Sequence, residues 1–203
     1  QDDADRVAVP EARLQVCNAA SVRSGGHYVV YWMTAARRTG WNDALDRAVG
    51  LARGLGKPLL VVETLPSRRR WASDRHHAFA IQGMADNARH FERAGVSYYP
   101  YVETDSGDAG ELLAAIAETA CLVVADDFPI RSFAEDLETL AARIAVRMEK
   151  IDSNGLLPMR AASKAYPTAY AFRRFLQKVL PDHLIESPVA NPLARLELPR
   201  PIP

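Results

Sequence analysis

Short apolar runs alternate with amphipathic stretches along the chain from Tyr28 onward. Tyr28-Val29-Val30-Tyr31-Trp32-Met33, preceded by Gly25-Gly26, is β-branched and aromatic in type and predicts a buried strand. Leu45, Ala48, Val49, Ala52 and Leu55 then recur at helical spacing, with Asn42 as N-cap and Gly56 and Pro58 as stop signals. Leu59-Leu60-Val61-Val62-Glu63 is a second strand, apolar enough for a sheet covered on both faces. A long helix is expected from Asp74 to Ala94, with Ala78, Ile81, Ala85, Ala88 and Phe91 as its buried stripe and Gly95 closing it. Ser97 to Val102 reads as a more polar strand near an edge. Asp108 is the expected cap of a helix that buries Leu112, Leu113, Ile116 and Ala117. Cys121 to Ala125 is a fourth strand, and Ser132 with Glu135 forms a capping-box pattern ahead of Phe133, Leu137, Leu140 and Ile144. Val146 to Ile151 completes the series.

Five strands separated by four helices imply crossover connections and a parallel sheet. The expected class is α/β: three layers, a doubly wound, Rossmann-like five-stranded parallel sheet with helices on both faces. Numbered in chain order, the runs are expected in the order 3-2-1-4-5. Residues 1–27 form an N-terminal arm with a short strand around Arg13 to Val16, residues 28–151 the α/β domain, and residues 152–203 a loop, a helix and a Pro-rich linker. The helix is capped by Thr168, carries Tyr170, Ala171, Phe175, Leu176 and Val179, and is expected to end before Pro181. Residues 186–203 hold five prolines and no helical period, as in a surface-hugging extension rather than a core element, or a cut between domains.

Composition adds little to this picture. The 203 residues are 48% hydrophobic and 25% charged, an ordinary globular balance. Lys+Arg and Asp+Glu are both 25, so no global basic field draws the chain to nucleic acid. Cys17 and Cys121 lie far apart without metal-ligand spacing and read as reduced thiols of a cytoplasmic protein. No apolar run is long enough to span a bilayer, so no membrane partner is expected. The acidic start, Gln1-Asp2-Asp3-Ala4-Asp5, lacks signal-peptide character, and the missing initiator Met points to a trimmed or processed N-terminus.

The common catalytic and phosphate-binding motifs are absent: there is no GxxxxGK[ST], GxGxxG, GxSxG or HExxH. Ser24-Gly25-Gly26 precedes its strand, whereas a phosphate loop follows one. His76 and His77 are neighbours on a helix and cannot share one face, so no metal site is assigned. Arg68-Arg69-Arg70 beside Trp71 suits either a solvated loop or a nucleic-acid backbone contact. The best site comes from the fold. In open α/β sheets, ligands bind beyond the carboxyl ends of the strands where the order reverses. That crevice falls between the Met33-Thr34-Ala35-Ala36-Arg37-Arg38 and Asp126-Asp127-Phe128-Pro129 segments, with Glu63 ending the adjacent strand. Met33, Thr34, Arg37, Glu63, Asp126, Asp127 and Phe128 are therefore the candidate cofactor-binding residues, fit to stack on and hydrogen-bond a flat polar heterocycle. The alternative is that Arg37 merely pairs with Asp126 or Asp127 at the surface. No catalytic residue is assigned.

These segments also carry a family resemblance. Tyr28 to Met33 resembles the "YVLYWM" first strand of DNA photolyases of the photolyase/cryptochrome superfamily, in particular class II, and follows an "RSGG" lead-in at Arg23 to Gly26. Asn42-Asp43-Ala44-Leu45, Lys57 to Glu63 and Arg75 to Met84 are similar to the class's corresponding segments. The last matches an "RHYxFMLxGL" pattern at Arg75, His76, Phe79 and Gly83. Leu157-Pro158-Met159 and Ala162-Ser163-Lys164 also match, whereas Tyr166 to Arg174 departs from the class. The resemblance, over about residues 5–165, implies an N-terminal antenna domain. A deazaflavin-like chromophore would occupy its crevice. FAD and damaged DNA would be held by a C-terminal domain that these residues do not include. Trp32, Trp41 and Trp71 are too scattered to form an electron-transfer chain. The rival reading is a stand-alone nucleotide- or flavin-binding, or photosensory, module without repair activity.

Overall fold

A computed structural model describes residues 9–67, 72–104, 108–185 and 187–199. The arginine run with Trp71 lies outside them, as does the proposed Asp108 side-chain cap. The strands are β1 (Leu14–Val16), β2 (Val29–Met33), β3 (Leu59–Leu65), β4 (Ser97–Val102), β5 (Leu122–Asp126) and β6 (Met148–Ile151). The helices are α1 (Asp43–Leu55), α2 (Asp74–Arg93), α3 (Asp108–Ala117), α4 (Arg131–Arg143) and α5 (Ala169–His183).

The sheet runs β1-β6-β5-β2-β3-β4. Its five parallel strands stand in the expected order, and β2 sits at the reversal, parallel to both β3 and β5. The strand count is corrected from five to six, because Leu14–Val16 of the arm pairs antiparallel with β6. An antiparallel strand added at a sheet edge needs no crossover, so it leaves no trace in the βα rhythm.

Side chains alternate across β2 and define two core layers. Val29, Tyr31 and Met33 pack with Ala44, Leu45, Ala48 and Val49 of α1 and Phe91 of α2. Val30 and Trp32 pack on the other face with Leu113 of α3 and Leu137 and Leu140 of α4. The α1 helix keeps its predicted ends: Asn42 Oδ1 accepts from Leu45 N at 3.1 Å, and Gly56 closes it with φ 62°. Gly26 is required by closeness, since a Cβ there would lie 2.6 Å from the Ala120 and Cys121 backbone.

Four expectations are corrected. The buried face of α2 is Met84, Asn87 and Phe91 rather than the stripe through Ala78, Ile81 and Ala85, which are exposed. Asn87 hydrogen-bonds Glu63, and that contact fixes the rotation of the helix. Ser132 and Glu135 form no capping box: α4 starts at Arg131 without a side-chain cap, and Glu135 pairs with Arg131. Helix α5 runs through Pro181 to His183. The ring costs the single bond that an N–H at position 181 would give to the Gln177 carbonyl. Finally, the Pro-rich tail hugs the body as one expected form had it, with Val189 O accepting from Trp41 N at 3.1 Å, but it also enters the core, where Leu193 is buried in the first layer.

Candidate functional site

Strand β2 ends beside Glu63 of β3, its register partner at Met33, and beside Asp126 of β5, one residue past the Trp32–Ala125 pair. Three strand ends thus deliver a hydroxyl, an arginine and carboxylates to one place. Their hydrogen bonds show what each does.

Asp126 is 2% exposed. Its Oδ2 accepts from the consecutive amides of Thr34, Ala35 and Ala36 at 2.9, 2.8 and 2.9 Å. Its Oδ1 accepts from the Tyr31 hydroxyl at 2.8 Å. Burial pushes the Asp126 carboxyl above the usual carboxylate range, and the amides of Ala35 and Thr34 and the Tyr31 hydroxyl hold it down only in part. Burial, with Asp126 beside it, raises the Tyr31 phenol well above its ordinary value. Asn42 binds the opposite side of the same loop: its Nδ2 donates to Ala36 O and Arg38 O, both at 2.9 Å, and to the Tyr31 hydroxyl at 3.0 Å. Asp126 therefore takes the loop's N–H groups and Asn42 its carbonyls.

Glu63 is equally enclosed. Oε1 accepts from Arg37 Nη1 at 2.9 Å, and Oε2 from Asn87 Nδ2 at 2.8 Å and the Tyr98 hydroxyl at 2.7 Å. Arg37 also reaches Thr34 O at 3.2 Å and Thr64 O at 2.5 Å, which ties the loop to the end of β3. Burial, with the bond to Glu63, raises the Tyr98 phenol, whose ring stacks on Phe91 at 5.2 Å. Arg37 thus pairs with Glu63, and with neither aspartate.

Asp127 turns to the β6 side. Its carboxylate meets Arg160 Nη2 at 2.5 Å and Lys150 Nζ at 3.4 Å, and Phe128 beside it packs edge-on against Phe133 at 5.5 Å. Lys150 also lines a cavity of about 340 Å³ with Cys17, Asn18 and Leu137, between β1 and α4.

Of the seven predicted residues, five converge on the β2–β3–β5 ends and two, Asp127 and Phe128, face away toward β6. Met33, Glu63 and Asp126 are buried, while Arg37 and Phe128 reach the surface in part. Sequence reasoning missed Tyr31, Asn87 and Tyr98 and assigned Asn42 only its cap. A signal existed for one of them: Asn87 recurs with Met84 and Phe91 at helical spacing, and a polar residue on that stripe needs a buried partner. Both cysteines are free thiols. Trp32 is buried and Trp41 is exposed. No helix among the described residues is long and apolar enough to cross a membrane.

The molecule is thus a doubly wound α/β protein whose strand ends at the order reversal are tied together by internal carboxylates. Its relatives give the particular kind. The deoxyribodipyrimidine photo-lyase of Methanothermobacter thermautotrophicus is 32% identical over 151 residues, 74% of this chain and 33% of that protein. The enzymes of that name from Oryza sativa subsp. japonica and Arabidopsis thaliana are 30% and 29% identical, covering 87% and 81% of this chain. The chain belongs to the photolyase family and spans about a third of the length of the curated relatives it matches. No protein-family model matches it. Among solved structures, the universal stress protein from Archaeoglobus fulgidus in complex with dAMP aligns with a TM-score of 0.42 at 16% identity, over 61% of this chain and 98% of that one. A putative universal stress protein from Pseudomonas aeruginosa UCBPP-PA14 aligns with a TM-score of 0.45 at 12% identity, over 68% and 51% of the two chains.

Proposed function

We propose that the chain is the N-terminal α/β domain of a class II-like DNA photolyase, which repairs cyclobutane pyrimidine dimers in light. One observation carries this reading. Photo-lyases match 74% to 87% of this chain while the match occupies 33% to 36% of their own length. The remaining two thirds would hold FAD and the flipped-out lesion, and light-driven electron transfer from reduced FAD would supply the chemistry. In this reading residues 28–151 are the α/β domain, with 1–27 as an arm that adds β1 to its sheet and 152–203 as the connection onward, packed back on the core through Leu193. Arg75, His76 and Phe79, which carry the family pattern on α2, are exposed, and Phe79 is 80% so, as suits a face that meets another domain.

A deazaflavin-like antenna would lie over the rim offered by Arg37, with Met33, Thr34, Glu63 and Asp126 beneath it holding that rim in place, while Asp127 and Phe128 would border it from the β6 side. Their carboxylates are already hydrogen-bonded within the chain, so the fit is to a ligand that stacks and accepts from Arg37, not to one that needs those acids free. The test is direct. The purified 203-residue protein, mixed with a deazaflavin, should acquire a bound blue-absorbing band. Alone it should take up no FAD and split no dimers. Light-dependent dimer splitting by this chain alone would overturn the proposal.

A further inference from the structure

In α/β proteins that bind nucleotides, the connection from the central strand to its helix receives phosphate, because loop amides and the helix N-terminus point at one spot. Here the three loop amides after β2 and two amides of the first turn of α1 already have partners from the chain itself. The amides of Thr34, Ala35 and Ala36 converge on one oxygen of Asp126. At the start of α1, Leu45 N is taken by Asn42 and Ala44 N by Ser153 Oγ at 3.2 Å. The first turn of α1 adds two acids, Asp43 and Asp46, both buried.

We propose that Asp126 is a resident anion, the specificity-determining residue that closes the β2–α1 connection to phosphate and confines this end of the sheet to phosphate-free ligands. A phosphate oxygen would need the position that Asp126 Oδ2 holds. Any anion that stopped short of it would face a buried carboxylate with no cation among its hydrogen-bond partners. Asp126 comes from β5, across the switch point, so the exclusion is built into the sheet order: the strand that neighbours β2 supplies the plug. The inference rests on reading this as the ligand-binding end of the fold. It also weighs against one form of the rival reading, a module for nucleotide phosphates, because that needs the amides that Asp126 occupies.

The probe is inorganic phosphate, followed by AMP, at constant ionic strength. In the wild-type protein the backbone amide resonances of Thr34, Ala35 and Ala36 should not move as phosphate is added to tens of millimolar. Saturable shifts at those three amides would overturn the proposal. In Asp126→Ala the three amides lose their acceptor, and formate has the three heavy atoms of the missing carboxyl group. Formate and phosphate should each raise the melting temperature of the variant by several degrees more than they raise that of the wild type. Equal responses in the two proteins would also overturn it. Should the variant not fold, the wild-type titration decides alone. The photolyase reading fails on other grounds, through an absent chromophore band or unaided repair, and either result leaves the amide titration standing.

Discussion

The Asp126 cluster sets a measurable energy. Truncation to Ala removes one acceptor from four buried or half-buried donors, the amides of Thr34, Ala35 and Ala36 and the Tyr31 hydroxyl. A buried donor left without a partner costs about 1–3 kcal/mol, so full abandonment would cost roughly 4–12 kcal/mol. Two effects reduce this. Water can enter beside Ala35, whose bond is only part-buried, and the variant no longer buries a carboxylate above its ordinary pKa. A net loss of about 3 kcal/mol is expected, which lowers the melting temperature by roughly 6–12 °C for a chain of this size. Asp126→Asn is the informative companion. Its oxygen can keep the three amides while its NH2 faces a Tyr31 hydroxyl turned to accept, so about 1 kcal/mol should be lost. Urea denaturation reads both values as midpoint shifts at constant slope. The pH dependence has a definite sign. Because burial raises the folded pKa, the stability owed to Asp126 is complete below its unfolded pKa and declines as pH rises through the folded value. The Asn penalty should therefore be largest in acid and narrow toward neutrality. An Asp126→Ala loss under about 1 kcal/mol, or one no larger than that of Asn, would refute the cluster's role.

Glu149 behaves in the opposite sense. It accepts from Arg47 at 2.8 and 3.2 Å and from Arg147 at 2.7 Å. Burial pushes its carboxyl up, but the two arginines more than offset this and hold it below the usual range. Its contribution is thus present above the unfolded pKa and lost as pH falls through the folded one. Glu149→Gln should cost about 2 kcal/mol at pH 7, less than for a fully enclosed pair because both arginines can rehydrate, and nearly nothing in strong acid by the same urea assay. Gly26→Ala places a Cβ 2.6 Å from the Ala120 and Cys121 backbone, whereas Gly25→Ala meets nothing within 4 Å. The first should cost about 1–3 kcal/mol and the second well under 1 kcal/mol, measured by thermal melts of the two variants side by side. Asn42→Ala removes the α1 cap together with donors to Ala36 O, Arg38 O and Tyr31. A loss of about 2–3 kcal/mol is expected, beyond the ~1 kcal/mol of a simple cap, with faster hydrogen exchange at residues 34–38 as the local readout.

Much of the fold was legible because its rules are local. Val29–Met33, Ser97–Val102 and Asp43–Leu55 follow from apolar runs, a cap and a left-handed glycine. Strand order was legible for a different reason, since βα alternation leaves few packings for a parallel sheet. What stayed hidden depended on contacts far apart in sequence. The short strand at Leu14–Val16 was expected, but its partner lies more than 130 residues away at Ile151 to Glu149, and nothing local in the sequence pairs the two. The rotation of α2 was not legible because two of its apolar residues, Phe79 and Ile81, face solvent while Met84 and Phe91 are buried together with the polar Asn87. Asn87 sets that rotation, and a pattern of hydrophobic positions discounts it.

The same contrast explains the site. Sheet order alone was enough to bring Arg37, Glu63 and Asp126 to one end of the fold, since Arg37 follows β2, Asp126 ends β5 and Glu63 of β3 lies beside the last residue of β2. Order alone could not tell which acid meets which donor. A surface ion pair of Arg37 with an aspartate would contribute at most about 1 kcal/mol. The observed arrangement instead divides the charges by burial. Arg37, part-exposed, goes to Glu63, while Asp126, enclosed, goes to neutral amides, two of them in buried bonds. Loss of either carboxylate would strand several donors at once. The loop after β2 is held on its N–H side by β5 and on its carbonyl side by α1, so it needs no ligand to take its shape. A rim fixed in advance loses little entropy when something flat settles on it. In the proposed reading, the acids of this crevice would serve binding by positioning the loop that carries Arg37.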